Sequence, residues 1–96
     1  MKDIDKIKEL LKNKEVTFQK TTFEKKQLGE CDFENKIISI KKNVGEGVMM
    51  SILIHECLHF IYPRRGEKWV LKREGEVFGA LNKRQYRTFL CFLNKM

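Results

Sequence analysis

His55-Glu56-Cys57-Leu58-His59 sits within the apolar stretch Val48-Met49-Met50-Ser51-Ile52-Leu53-Ile54 and Phe60-Ile61. An H-E-x-x-H pattern in such surroundings predicts a helix over about Val48 to Tyr62, apolar nearly all round and therefore buried at the centre of the fold. Residues four apart lie on one helix face, one turn above the other, so His55 and His59 can grip one metal ion from the same side. Glu56 projects about 100° round the helix from His55, near enough to reach water activated at the metal without being a ligand. Two imidazoles that hold zinc, with a carboxylate that takes a proton from water, make up the chemistry of a zinc-dependent peptidase. The chain has only two histidines, and both lie in this pattern. Pro63 stops the helix.

Outward from the motif, the N-terminal half supplies a helix and three strands. Ile4, Ile7, Leu10 and Leu11 recur at helical spacing from Asp3 to about Asn13, with Asp3 placed to cap the helix. Glu15 to about Thr21 alternates as a half-buried strand, with Val16 and Phe18 facing in. Leu28–Phe33 and Ile37–Lys41 read as the two arms of a hairpin that turns at Glu34-Asn35-Lys36. After Pro63, Arg64-Arg65-Gly66-Glu67 reads as a loop, and a third helix begins near Lys68 and runs past Leu81. Gln85 to Leu93 is a further helical segment, either its continuation or a short tail. The fold class expected is α+β, a small three-stranded sheet packed on three helices, in one domain spanning residues 1–96.

A catalytic zinc takes three protein ligands and keeps one position open. With no third histidine, the candidates after the motif are Glu67, Glu74 and Glu76. On a wheel of about 100° per residue, Glu74 falls among Val70, Leu71, Val77 and Phe78, whereas Glu76 falls beside Lys72 and Arg73. A carboxylate on an apolar face is costly unless a charge compensates it, so Glu74 is chosen as the third ligand, with Glu76 as the alternative. Tyr62, Arg73, Arg84 and Tyr86 are unranked candidates for stabilising a developing oxyanion.

Composition narrows the classes further. Hydrophobic content of 42% with one proline indicates a folded chain. There is no uncharged apolar run of membrane-spanning length and no apolar signal core at the start, so a cytoplasmic protein without a membrane partner is expected. Three cysteines, Cys31, Cys57 and Cys91, suit free thiols in a reducing compartment. Cys57 points roughly 200° from His55, into the core, and is a poor ligand. The net charge of +7 is spread along the chain as a solvated basic surface. Aromatics interleaved with basic residues are lacking, so nucleic acid is not an expected partner. A peptide or protein substrate is, and a homo-oligomer stays open.

With these residues in view, the chain resembles the gluzincins, zinc peptidases with H-E-x-x-H on one helix and a Glu ligand on a following one. Its size and element order are similar to the minigluzincins, the minimal stand-alone members of that group. The resemblance spans about Leu28 to Leu81 and rests on Ile54-His55-Glu56-Cys57-Leu58-His59-Phe60, Gly29-x-x-Asp32 and Ile38-x-Ile40. It implies a minimal zincin-like metallopeptidase domain with Zn2+ as cofactor. Metal ligands would be His55, His59 and Glu74, and the catalytic base Glu56. Ile37–Lys41 or its neighbour would be the edge strand that receives an extended peptide. It also implies latency, a zymogen in which the apolar stretch Arg87–Leu93 lies across the cleft, against the plainer expectation of a packed C-terminal helix. Two alternatives stand beside it: a non-catalytic zinc protein, and a repressor-cleaving regulatory peptidase of a mobile element.

Overall fold

The motif helix, α2 (Glu46–Ile61), occupies the middle of the molecule, with Met50, Leu53, Ile54, Cys57 and Leu58 fully buried. Everything else is arranged to cover it. The computed structural model describes residues 1–24 and 26–96. In chain order these form α1 (Lys2–Lys12), β1 (Thr17–Thr21), β2 (Gly29–Asp32), β3 (Ile37–Lys41), α2, α3 (Glu67–Ala80) and α4 (Lys83–Lys95). The class is α+β, as expected, but with four helices instead of three. The strands lie in the order β1-β3-β2. None of the helices is long and apolar enough to cross a membrane, among the described residues.

β2 and β3 form the expected antiparallel hairpin, with Cys31 opposite Ile38. Its turn is held by Asp32, whose side chain accepts from the Asn35 backbone N–H and side-chain amide, with Lys36 in the left-handed region at φ 55°. β1 then adds to the other side of β3 in parallel, Phe18 opposite Ile38. The resemblance implies that Ile37–Lys41 or its neighbour is the edge strand. Of the two, Ile37–Lys41 is not: β3 is paired on both sides and carries the fully buried Ile38 and Ile40. A strand whose side chains are this apolar belongs at the sheet's centre. Its neighbour β2 is the edge nearest α2.

The helix α2 closes at Tyr62, whose N–H reaches the Leu58 carbonyl, and Pro63 cannot extend the ladder. Leu81 has extended backbone, and Asn82 starts α4 with a capping box: it accepts from the Gln85 N–H while Gln85 accepts from its own N–H. The segment after Leu81 is thus a separate helix. Phe89 and Leu93 on it are fully buried, and Phe92 meets Phe18 edge-to-face at 4.9 Å between centroids. The stretch Arg87–Leu93 is therefore helical and packs on the core through Phe89 and Leu93; it is not an extended strand across a cleft.

Asp3 is also found in a different role. The cap position of α1 is Met1, with no side-chain cap bond, so Asp3 lies inside the first turn. Its buried carboxylate accepts from the Tyr62 hydroxyl and from Arg73 Nε. One carboxyl thereby ties α1 to the end of α2 and the middle of α3. Burial alone would push its pKa up, but the hydrogen bonds from Tyr62 and Arg73 and the charge of Arg73 hold it below the ordinary value of 3.8.

Replacing Arg73 with Met should therefore cost about 2 kcal/mol of stability at neutral pH, because a buried carboxylate loses its charged partner. A carboxyl with a depressed folded pKa stabilises above its unfolded value and loses that contribution as pH falls through the folded one. The gap between the urea midpoints of parent and Arg73→Met should accordingly close as the pH is lowered from about 5 to below 3.8.

Candidate metal centre

His55 and His59 project from one face of α2, their rings 4.8 Å apart between centroids and edge-to-face. Six residues after Ile61, α3 begins, with Gly66 as its N-cap and Glu67 in its first turn. A carboxylate is favoured there by the positive end of the helix dipole. Glu67 Oε1 stands 2.7 Å from His55 Nε2 and 2.9 Å from His59 Nε2. Glu74, two turns further along the same face of α3, places Oε1 2.8 Å from His55 Nδ1. The hydrogen bond from His59 holds the Glu67 carboxyl below its ordinary range.

His55 is thus flanked by a carboxylate at each ring nitrogen. When Nδ1 donates its hydrogen to Glu74, Nε2 carries a lone pair that faces the Glu67 oxygen. Two electron-rich atoms at 2.7 Å need a positive species between them, a proton or a metal cation. Ligand atoms of His55, His59 and Glu67 all lie within 4.8 Å of one another, so the group can hold a metal ion. Two imidazole nitrogens and one carboxylate oxygen make a donor set that suits a borderline-soft divalent cation and leaves a coordination position open.

The sequence assigns the third ligand to Glu74; in the structure it is Glu67 that groups with His55 Nε2 and His59 Nε2. Glu74 does face the motif, but it meets the far nitrogen of His55, where a carboxylate orients the ring and fixes its tautomer. Glu76 points elsewhere, accepting from Arg73 at 3.4 Å. Glu67 was passed over because the sequence starts the helix at Lys68. With the start one residue earlier, Glu67 and Glu74 are seven apart and within about 20° of each other on the wheel. That spacing is the signal that identifies the pair.

Glu56 lies under β2 and is only 8% exposed. It lines a groove of about 350 Å³ with Gly29, Cys31, Phe33, His59 and Pro63. Burial pushes its carboxyl up, against the opposing pull of His55 and His59. Gly29 makes this packing possible. A Cβ there would stand 2.8 Å from both Glu56 Oε2 and Ile52 Cγ2, so only glycine lets the strand press onto the helix. On the other side of the histidines, a groove of about 800 Å³ is bordered by Gly29, Ile52, His55, Glu67, Leu71 and Glu74, among others. The two grooves share Gly29 and form one cleft along the edge strand β2.

The other candidates are engaged elsewhere. Tyr62 and Arg73 serve Asp3, Tyr86 donates to Glu46 at 2.7 Å, and Arg84 lines a groove between α1 and α4. None of the four borders the cleft. Cys57 is buried as expected, and Cys31 borders the cleft with its thiol pushed up to about 12 by burial and by the charge of Glu56. Comparison with protein-family models, with curated proteins and with solved structures finds no match.

Titration with Zn2+ should show that Glu67→Gln abolishes tight stoichiometric binding, while Glu74→Gln weakens it by about 10–100-fold and Glu76→Gln leaves it unchanged. A larger loss in Glu74→Gln than in Glu67→Gln would return the ligand role to Glu74. Separately, Gly29→Ala should lower stability by about 1–3 kcal/mol in chemical denaturation, since Ile52 and the Glu56 stem must move to admit one methyl group.

Proposed function

We propose that this protein is a zinc-dependent peptidase of the minigluzincin kind. The observation that carries the proposal is the convergence of His55 Nε2, His59 Nε2 and Glu67 Oε1 beside a cleft into which Glu56 opens. His55 and His59 would hold the metal through Nε2, and Glu67 through its carboxylate. Zinc, when bound, supplies a Lewis acid that polarises a carbonyl and lowers the pKa of water.

The remaining chemistry belongs to the chain. Glu74 keeps the hydrogen of His55 on Nδ1, which presents the Nε2 lone pair to the cation. Glu56 takes a proton from water in the cleft and returns it to the amine nitrogen of the departing product. Among the described residues the outer edge of β2 has no strand partner in the sheet, so its main-chain groups are available to an extended peptide. Such a peptide, lying antiparallel or parallel to β2, would run past the histidines through both grooves.

A metal kept only as structural cement would have no use for Glu56, nor for an open cleft beside it. Glu56 therefore separates the two roles. In Glu56→Gln, metal content measured by mass spectrometry should match the parent, and cleavage of an unfolded protein substrate should fall by about 10²–10⁴-fold. Equal cleavage by parent and variant, or none by either with zinc fully bound, would favour the non-catalytic role.

A further inference from the structure

A second groove, of about 780 Å³, runs between α1 and α4 and shares no residue with the cleft. Among the described residues five cations border it, Lys8 and Lys12 from α1 and Arg84, Arg87 and Lys95 from α4, and no carboxylate does. None of the five takes part in an ion pair among the described residues. Nor does α4 itself carry any acidic residue. The N-terminus of α4 adds the positive end of its helix dipole at the Asn82 end of the groove. Between the cationic walls, the lining is apolar at Leu11, Cys91 and Phe92.

We propose that this groove binds an acidic amphipathic helix of another protein. Cations contributed by two helices on either side of an apolar lining match a helix with one apolar stripe flanked by carboxylates, the helix-in-groove mode of recognition. The net charge of +7 would steer such a partner to the surface over a Debye length. A nucleic acid is the poorer match. Its phosphates would satisfy the walls, but single-stranded bases need aromatic faces to stack on. Phe92 is the one ring in the lining, and it is half-buried against Phe18. Because the groove lies apart from the histidines, the partner would be held here without being cut, whatever the metal centre does.

Fluorescence anisotropy of the full chain with a labelled amphipathic Leu/Glu helical peptide tests the proposal. Saturable binding is expected, weakening as salt is raised. Arg84→Glu with Arg87→Glu should reduce affinity by about tenfold or more, since repulsion replaces attraction at the rim. Lys8→Glu with Lys12→Glu, from the opposite wall, should do the same. Lys14→Glu with Lys42→Glu alters net charge equally but lies outside the groove, and should bind like the parent. All these side chains are exposed or half-buried, so the variants should melt near the parent. Absent binding, or equal weakening by the Lys14/Lys42 pair, would overturn the proposal. So would equal binding of a polyglutamate lacking the Leu stripe. Tighter binding of oligo-dT or of phosphatidylserine vesicles, with the same residues required, would replace the protein partner with a nucleic acid or a membrane surface.

Discussion

Helix α2 is apolar around nearly its whole circumference, and the fold follows from having to cover it. A helix with no polar face cannot rest on one surface of a sheet. It needs β2 and β3 on one side, α1 and α4 on others and α3 against the rest. The polar residues in its second half, His55, Glu56 and His59, can exist only where that cover parts. The cleft between β2 and α3 is the place, and α3 brings two carboxylates to it. The site is thus a polar seam in the second half of a helix whose other residues there are mostly buried among apolar neighbours.

The carboxylates are held as one rigid unit. Glu67 and Glu74 stand two turns apart on α3, and α3 is fixed to α1 by Arg73 and Asp3 and to the end of α2 by Tyr62 meeting Trp69 edge-to-face at 5.1 Å. Asp3 is therefore connected to the candidate metal centre through covalent and hydrogen-bonded structure although it is far from it in sequence. A buried carboxylate with two donors in different helices sets the angle between them more narrowly than apolar contact does.

Much of this was legible in the sequence, and the misses have particular causes. The period of apolar residues identifies α1, the hairpin and α2, because each is decided by contacts within a few residues. Both histidines and Glu56 follow from helical spacing alone. The parallel pairing of β1 with β3 depends on a connection that skips past β3 to the far edge, which no local pattern encodes. Asp3 looks like a cap because Asp is favoured there. Its partners Tyr62 and Arg73, 59 and 70 residues away, decide otherwise. The place of Glu67 beside the histidines turned on one residue of helix boundary. The wheel correctly set Glu74 on the inward face, but only a helix that starts at Glu67 shows that two carboxylates share it. Which of them meets Nε2 and which meets Nδ1 is a matter of how far α3 has travelled along α2, and that distance is set by the loop at Pro63.

That loop gives the helical hairpin α2–α3 a thermodynamic character. Its two arms meet through charged groups at the open end of the cleft, where there is less apolar contact to hold them than in the core. A cation shared by His55, His59 and Glu67 would act as a latch on the hairpin. By mass action, a ligand present at a thousand times its dissociation constant adds about 4 kcal/mol to the state that binds it. Ion affinity and the resistance of α3 to swinging away are then two readings of one equilibrium. Any influence that loosens α3, even from the distant Asp3 end, would be felt as a weaker hold on the ion, and any ion that enters would stiffen the helix that supplied its ligand.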